Sequence, residues 1–310
     1  MTRRPSAILA NDGLLLLTAA IWGFAFVAQR VGMEHVGPFT FNAVRFALGS
    51  LSLVPLALWR RLTLRRDDGI AAGEPGTRSP MRILPCGILA GSVLFLAASL
   101  QQVGMIWTGA GKAGFITGLY VVLVPLAGLF RGEKPGGTGW CGAVLAAIGL
   151  FLLSVTRTFA VERGDLILVA GALFWTAHVR IIARLAPRTE PVALSAVQFG
   201  TCAVLSGIVA ALAEPWNAAA VLDAAWPILY GGLLSVGVAY TLQVVAQRKA
   251  PPAHAAILLS LESFFAAVGG WALLGERLGA RGLLGCALML AGMLCAQLPA
   301  ALGPQARQTP

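Results

Sequence analysis

Along most of the chain, apolar side chains run in long blocks instead of alternating with polar ones. Ten blocks are long enough to matter: about 13–31, 38–58, 83–103, 110–130, 137–155, 165–185, 191–213, 226–247, 253–274 and 279–298. An apolar run of 18 or more residues reads as a membrane span, because ~20 helical residues cross ~30 Å of hydrocarbon. The pattern predicts an all-α integral membrane protein with ten transmembrane helices. Two polar stretches fall outside the blocks. One is the basic, Gly/Pro-bearing loop from Arg60 to Arg82; the other is the tail ending "GPQARQTP".

Composition agrees. Apolar residues make up 57% of the chain and charged residues 12%, against roughly a quarter charged in soluble domains. The net charge of +10 would fit a nucleic-acid partner, but its distribution does not. With the N-terminus inside and the spans alternating, inner segments carry 15 Lys/Arg and outer segments 6, with Arg45 and Arg180 left within spans. The positive-inside rule then places both termini in the cytoplasm of a multi-pass cell-membrane protein, the inner membrane in a Gram-negative cell. Its basic face meets anionic lipid headgroups, so no nucleic acid is required. The first block is too long for a signal peptide and leads into nine more. The five cysteines lie in or beside spans without CxxC pairing, which predicts free thiols, no metal site and no cofactor.

One phrase is written twice. "GEKPGGTGWCGAVLAAIG" from Gly132 and "GERLGARGLLGCALMLAG" from Gly275, 143 residues apart, share Gly-Glu, a basic residue and four further glycines in register. Earlier, "SLQ" at Ser99 lies over "TLQ" at Thr241. At offset 153, Asp12 lies over Asp165, Trp22 over Trp175, and Pro38 over Pro191. Spans 1–5 therefore repeat as spans 6–10, in units 1–155 and 156–299 followed by the tail 300–310. Five being odd, the second copy enters the membrane from the opposite side. Inverted repeats of this kind build secondary transporters that open a midplane site to alternate faces.

The chain resembles the EamA-type drug/metabolite transporter superfamily over nearly its whole length. The residues carrying the likeness are "AAIWGFAFV", "NAVRFALGS" and "KAGFITGLYVVLVPLAGLFRGEKP", with the echoes "GDLILVAGALFWTAHV" and "LLSLESFFAAVGGWALLGERL". The resemblance implies export of amino acids, related metabolites or toxic compounds, usually without ATP. The second repeat departs from it at Gln198, where Arg45 has no counterpart.

Candidate chemistry is sparse. "GAGK" at Gly109 lacks P-loop spacing, and HExxH and GxSxG are absent, so an enzyme is not expected. Intramembrane charges mark function by default. Glu262 falls near mid-span, either as a proton carrier or counter-ion for a substrate ammonium, or as a structural partner of Arg45 or Arg180. Arg45 is either a bidentate carboxylate ligand or an architectural residue tying down span 2. His178 and Arg180 point ~200° apart on one helix. His178 shares a face with Trp175 and is the cavity candidate, with a structural hydrogen bond as the alternative; Arg180 snorkels. Trp22 and Trp175 with Tyr120 and its repeat partner Ser263 supply walls and hydroxyls. Asn42 and Gln101 with Gln29 trace an outer vestibule, and Gln243 with Gln198 an inner one. Lys112 and His254 stand at the starts of spans 4 and 9. Spans 5 and 10 read as scaffold or dimer surface, and Pro125 and Pro55 as hinges.

Together these features predict a secondary exporter of small metabolites, amino acids first, working by alternating access as a monomer or homodimer, with proton coupling open. A proton-coupled exporter of hydrophobic cationic drugs is the rival. A lipid-handling enzyme or a channel is a third class.

Overall fold

The computed structural model describes residues 5–67, 80–108, 110–133, 136–154, 163–274 and 279–302. Lys134, the first four residues of the second copy of the doubled phrase (275–278), residues 68–79 and the tail from 303 lie outside the described residues, as does the side chain of Lys112. The segment from Arg60 to Arg82, expected as a loop, is helical at both ends, to Asp67 and from Pro80.

The described chain is helical throughout. The helices are α1 Pro5–Gly32, α2 Pro38–Asp67, α3 Pro80–Trp107, α4 Ala110–Gly118, α5 Tyr120–Leu129, α6 Gly137–Ser154 and α7 Arg163–Leu185. They continue as α8 Pro191–Ala213, α9 Ala218–Asp223, α10 Ala225–Leu229, α11 Thr241–Gln247, α12 Pro252–Leu259, α13 Glu262–Leu274 and α14 Ala280–Leu302. Between α10 and α11 the chain runs through a wide π-type helix, Tyr230–Tyr240. Proline opens α2, α3, α8 and α12, at the first helical position, where its missing N–H costs nothing.

Among the described residues, seven segments are long and apolar enough to cross a membrane, and Ile116–Leu129, Gly137–Leu152 and Ala280–Cys295 form shorter apolar helices. The polarity is inverted relative to a soluble protein. Asn42, Gln102, His178, Ser195 and Gln198 are fully buried, while Leu51, Leu84, Leu166, Leu212 and Phe130 stand exposed. Side chains facing hydrocarbon need no polar partners, whereas polar groups must find theirs between helices. The chain is a multi-pass membrane protein.

Two predicted spans are not continuous helices. Span 4 breaks at Leu119 between α4 and α5, and span 9 breaks at Ser260–Leu261 between α12 and α13. Tight turns bridge both breaks: Leu119 N–H donates to Ile116 O, Leu261 N–H to Leu258 O, and Ser263 N–H to Ser260 O. The first break lies upstream of Pro125, the residue expected to bend this span, and α5 runs through that proline. Likewise α2 runs through Pro55.

Glycine governs the closest contacts. α6 lies along α14, and the approach is reciprocal. A Cβ on Gly149 would sit 2.6 Å from the Gly285 carbonyl oxygen, and one on Gly292 would sit 2.7 Å from that of Gly142. The four glycines are the repeat-related pairs of the doubled phrase, so the small-residue faces of spans 5 and 10 pack on each other within one chain. α2 packs against α8 and the π segment, where a Cβ on Gly232 would lie 3.0 Å from the Arg45 carbonyl oxygen. α3 meets α8 in the same manner, with Gly91 over the Gln198 carbonyl at 2.5 Å. Arg45 and Gln198 hold corresponding repeat positions, so the two contacts match.

The start of α2 is tied across the bundle. The Glu214 carboxylate accepts from Phe39 N–H at 2.8 Å, Thr40 N–H at 2.7 Å and the Thr40 hydroxyl at 2.6 Å. Three donors at a helix N-terminus suit an anion. At the equivalent place α8 is capped by its own Glu190, which accepts from Ala193 N–H.

Gly292→Ala places a methyl group 2.7 Å from the Gly142 carbonyl oxygen, forcing α6 and α14 apart at a cost of about 1–3 kcal/mol. Thermal unfolding in detergent should show a lowered melting temperature. Gly136→Ala, where nothing lies within 4 Å, should melt like the parent.

Candidate functional site

The interruptions and the π segment converge on one place. Tyr120 is the first residue of α5 and Glu262 the first of α13, so each broken span delivers its downstream half-helix N-terminus to the interior. There the Tyr120 hydroxyl donates to Glu262 Oε1 at 3.2 Å. Gly23 lets α1 approach closely, since a Cβ on it would fall 2.6 Å from the Glu262 carbonyl oxygen.

α1 is stitched to the π segment by three hydrogen bonds. Thr18 Oγ1 donates to Ala239 O, Trp22 Nε1 to Ser235 O, and Tyr230 Oη to Ile21 O. A π turn spreads its carbonyls and recurs at functional sites, and here two of those carbonyls take side-chain donors. On the other half, Trp175 Nε1 donates to Gln101 Oε1 at 2.8 Å. Both mid-span indoles thus have acceptors, as buried indole N–H groups require.

Between the two tryptophans lies Tyr240. Its ring is 4.4 Å from that of Trp22 at a 56° tilt, and 6.1 Å from that of Trp175, nearly parallel at 14°. Phe199 and His178 meet it edge-on.

These groups line a narrow cavity of about 30 Å³. Of the ten residues proposed from sequence, Trp22, Arg45, Gln101, Tyr120, Trp175, Gln243 and Glu262 line it. The other three are elsewhere. His178 is fully buried behind Trp175, where its Nε2 hydrogen-bonds Gln198 Oε1 at 3.1 Å. Asn42 accepts from Arg45 Nε at 3.0 Å and so orients the guanidinium from behind. Ser263 turns toward the Gly114 carbonyl. Gln29 joins the lining, and with it Phe26, Thr117, Val179, Ser235, Tyr240 and Leu259. Tyr240 stands just before the repeated "TLQ" phrase, the one signal in the sequence that pointed to it.

The electrostatics are uneven. Arg45 is buried, its guanidinium 4.8 Å from the Phe46 ring centre and 5.4 Å from that of Phe41. Glu262 is buried with Tyr120 as its hydrogen-bond partner. Among the described residues neither forms an ion pair, with the other or with anything else. Gln29 Oε1 and Gln243 Oε1, both on the cavity wall, also lack partners. Arg180 does not snorkel: it pairs with Glu133 at 2.6 Å. His254 bonds Asp12 at 2.8 Å, and the repeat-related Asp165 accepts from Thr108. Those contacts knit the starts of spans.

Comparison with known proteins accords with this arrangement. The profile of the EamA-like transporter family matches twice, over residues 10–155 and 162–297. An uncharacterized transporter of Archaeoglobus fulgidus is 28% identical over 92% of this chain and 84% of its own length. The threonine/homoserine exporter RhtA of Salmonella typhimurium strain SL1344 is 31% identical over 90% of this chain and 88% of its own. A solved crystal structure, 21% identical, superposes with a TM-score of 0.74 over 96% of this chain and 99% of that one, and so shares the fold. The chain belongs to the EamA-like transporter family; it is a transporter and not an enzyme.

Tyr120→Phe leaves the buried Glu262 side chain without its hydrogen bond. It should lower stability by about 1–3 kcal/mol, the cost of an unsatisfied buried polar group. Glu262→Gln keeps an acceptor for the Tyr120 hydroxyl and should cost less. Paired thermal melts in one detergent check the order.

Proposed function

We propose that this EamA-like transporter exports small zwitterionic metabolites, amino acids first, by alternating access through the Glu262–Arg45 cavity. One observation carries the reading: a buried acid and a buried base line the same cavity, and among the described residues neither is neutralised by an ion pair. Leaving a charge buried and unpaired is costly, and a ligand with both an ammonium and a carboxylate relieves both costs at once. Glu262 takes the ammonium and Arg45 the carboxylate. The open acceptors of Gln29 and Gln243 suit hydroxyl or amine donors, and Trp22, Tyr240 and Trp175 give apolar walls. The α5 and α13 N-termini add a favourable field for negative charge. The similarity to a threonine/homoserine exporter supports the same substrate class.

The transport cycle we infer uses ten spans as two inverted halves, 1–155 and 156–299, with both termini cytoplasmic in the cell membrane. The twofold family match and the reciprocal glycine contacts support that organisation. A second reading has its own observation. Three aromatic rings and one acid also suit a hydrophobic cation, with Glu262 exchanging protons for it.

Counterflow in proteoliposomes separates the two. Threonine and homoserine should exchange in wild type, and their methyl esters, which lack the carboxylate, should exchange poorly. Arg45→Gln and Glu262→Gln should each reduce exchange by about tenfold or more, as loss of a charge-assisted hydrogen bond of about 1.5–3 kcal/mol implies. Esters that exchange as well as the acids would remove Arg45 from substrate recognition. Exchange of lipophilic cations alone would install the drug-export reading. A response to an imposed pH gradient decides whether protons are coupled.

A further inference from the structure

A second hollow, about 360 Å³, opens where the loops after α5, α7 and α11 meet. Arg180, Arg184, Arg248 and Lys249 line it with one acid, Glu133. It lies in line with the central cavity. Val179 and Gln243 face the cavity, while their neighbours Arg180 and Gln247, next along α7 and one turn along α11, face the hollow.

Two polar links close the neck between them. Gln247 Nε2 donates to Val179 O at 3.2 Å, joining α11 to α7. Arg180 joins α7 to α5, donating from Nη1 to Val124 O at 3.1 Å and to Glu133 Oε2 at 3.2 Å, and from Nη2 to Glu133 Oε1 at 2.6 Å. Gly128 makes room for the pair, since a Cβ there would lie 2.8 Å from Glu133 Oε2. The two partners differ in one respect: the Arg180 side chain is 9% exposed and that of Glu133 46%. The arginine is fixed in the wall, and its acid reaches in from solvent.

We propose that Arg180–Glu133 is the lock of one mouth of the cavity, and that the basic hollow outside it receives a carboxylate that displaces Glu133 from Arg180. The guanidinium fork already holds a carboxylate in two-point fashion, and an incoming one substitutes like for like. The other three cations draw it in and receive the released Glu133 side chain. With Glu133 gone, the tie from α7 to the loop after α5 is lost, leaving Arg180 its hydrogen bond to the Val124 carbonyl. The proposal rests on the cavity being a transport path.

The test reads the neck directly. Val179→Cys is exposed to a membrane-impermeant maleimide in sealed vesicles whose sidedness is set by labelling of Arg248→Cys, and modification is followed at that peptide by mass spectrometry. Adding Glu133→Gln or Gly128→Ala should raise the labelling rate about tenfold, equivalent to 1.4 kcal/mol of lock. Sodium acetate should raise it in the chain with native Glu133, and sodium chloride at equal ionic strength should not. Unchanged labelling in Glu133→Gln overturns the lock, and equal effects of acetate and chloride overturn carboxylate release. Labelling needs no transported solute, so a wrong substrate assignment leaves this result standing. Full amino-acid exchange with unchanged labelling sinks the lock alone.

Discussion

A backbone carbonyl or N–H left unpaired in hydrocarbon costs several kcal/mol, and the architecture follows from that constraint. Regular helix is the safe solution, and the lipid-facing positions adopt it. Irregular backbone occurs where neighbouring groups can serve the freed atoms. The breaks at Leu119 and Ser260–Leu261 face inward and close on themselves by tight turns. Two carbonyls of the π segment accept from Thr18 and Trp22. The same places are where the cavity forms, because only at a break can a helix terminus and its first side chain reach the midplane. Local backbone cost and the candidate site share their location.

Glycine supplies the second half of the design. Along α6 and α14 the backbones touch through Gly149 and Gly292, making a stiff rib held mainly by close packing, with one weak thiol hydrogen bond from Cys295 Sγ to Thr138 O at 3.7 Å. Around the cavity, by contrast, cohesion comes from directed hydrogen bonds that can be exchanged for others. A carrier requires both kinds of contact: a seam that holds, and a set of bonds that trades partners at low net cost.

Much of this was legible in the sequence, for identifiable reasons. Hydrophobic blocks located the apolar helices because burial in lipid demands long apolar runs, and the glycines of the doubled phrase marked spans 5 and 10 as close-packing faces, which meet each other as α6 and α14. Glu262 and Arg45 stood out because charge in a span needs a reason. What stayed hidden depended on direction within a helix. His178 shares a helix face with Trp175, yet it lies behind that ring against Gln198. Arg180 found Glu133 across a fold that spacing alone does not give. Tyr240 was marked only by the neighbouring "TLQ" phrase, because its orientation follows from the π segment and apolar sequence carries no mark of a wide turn. Glu214, far along the chain from Thr40, pairs with it only in three dimensions.

The π segment has one more consequence. A wide turn advances through a smaller angle per residue than an α turn, so over Tyr230–Tyr240 the helix falls behind in phase before α11 begins. Gln243 and Gln247 therefore present to the interior at angles that an unbroken α-helix would not give. The corresponding stretch of α3 is ordinary α-helix. Two halves that share a plan thus differ in handwriting, and exchanging their shapes does not return the same molecule. In the alternating-access cycle proposed above, the two orientations of the empty carrier are then unequal in free energy. The resting bias is written into the backbone, before any substrate or gradient acts on it.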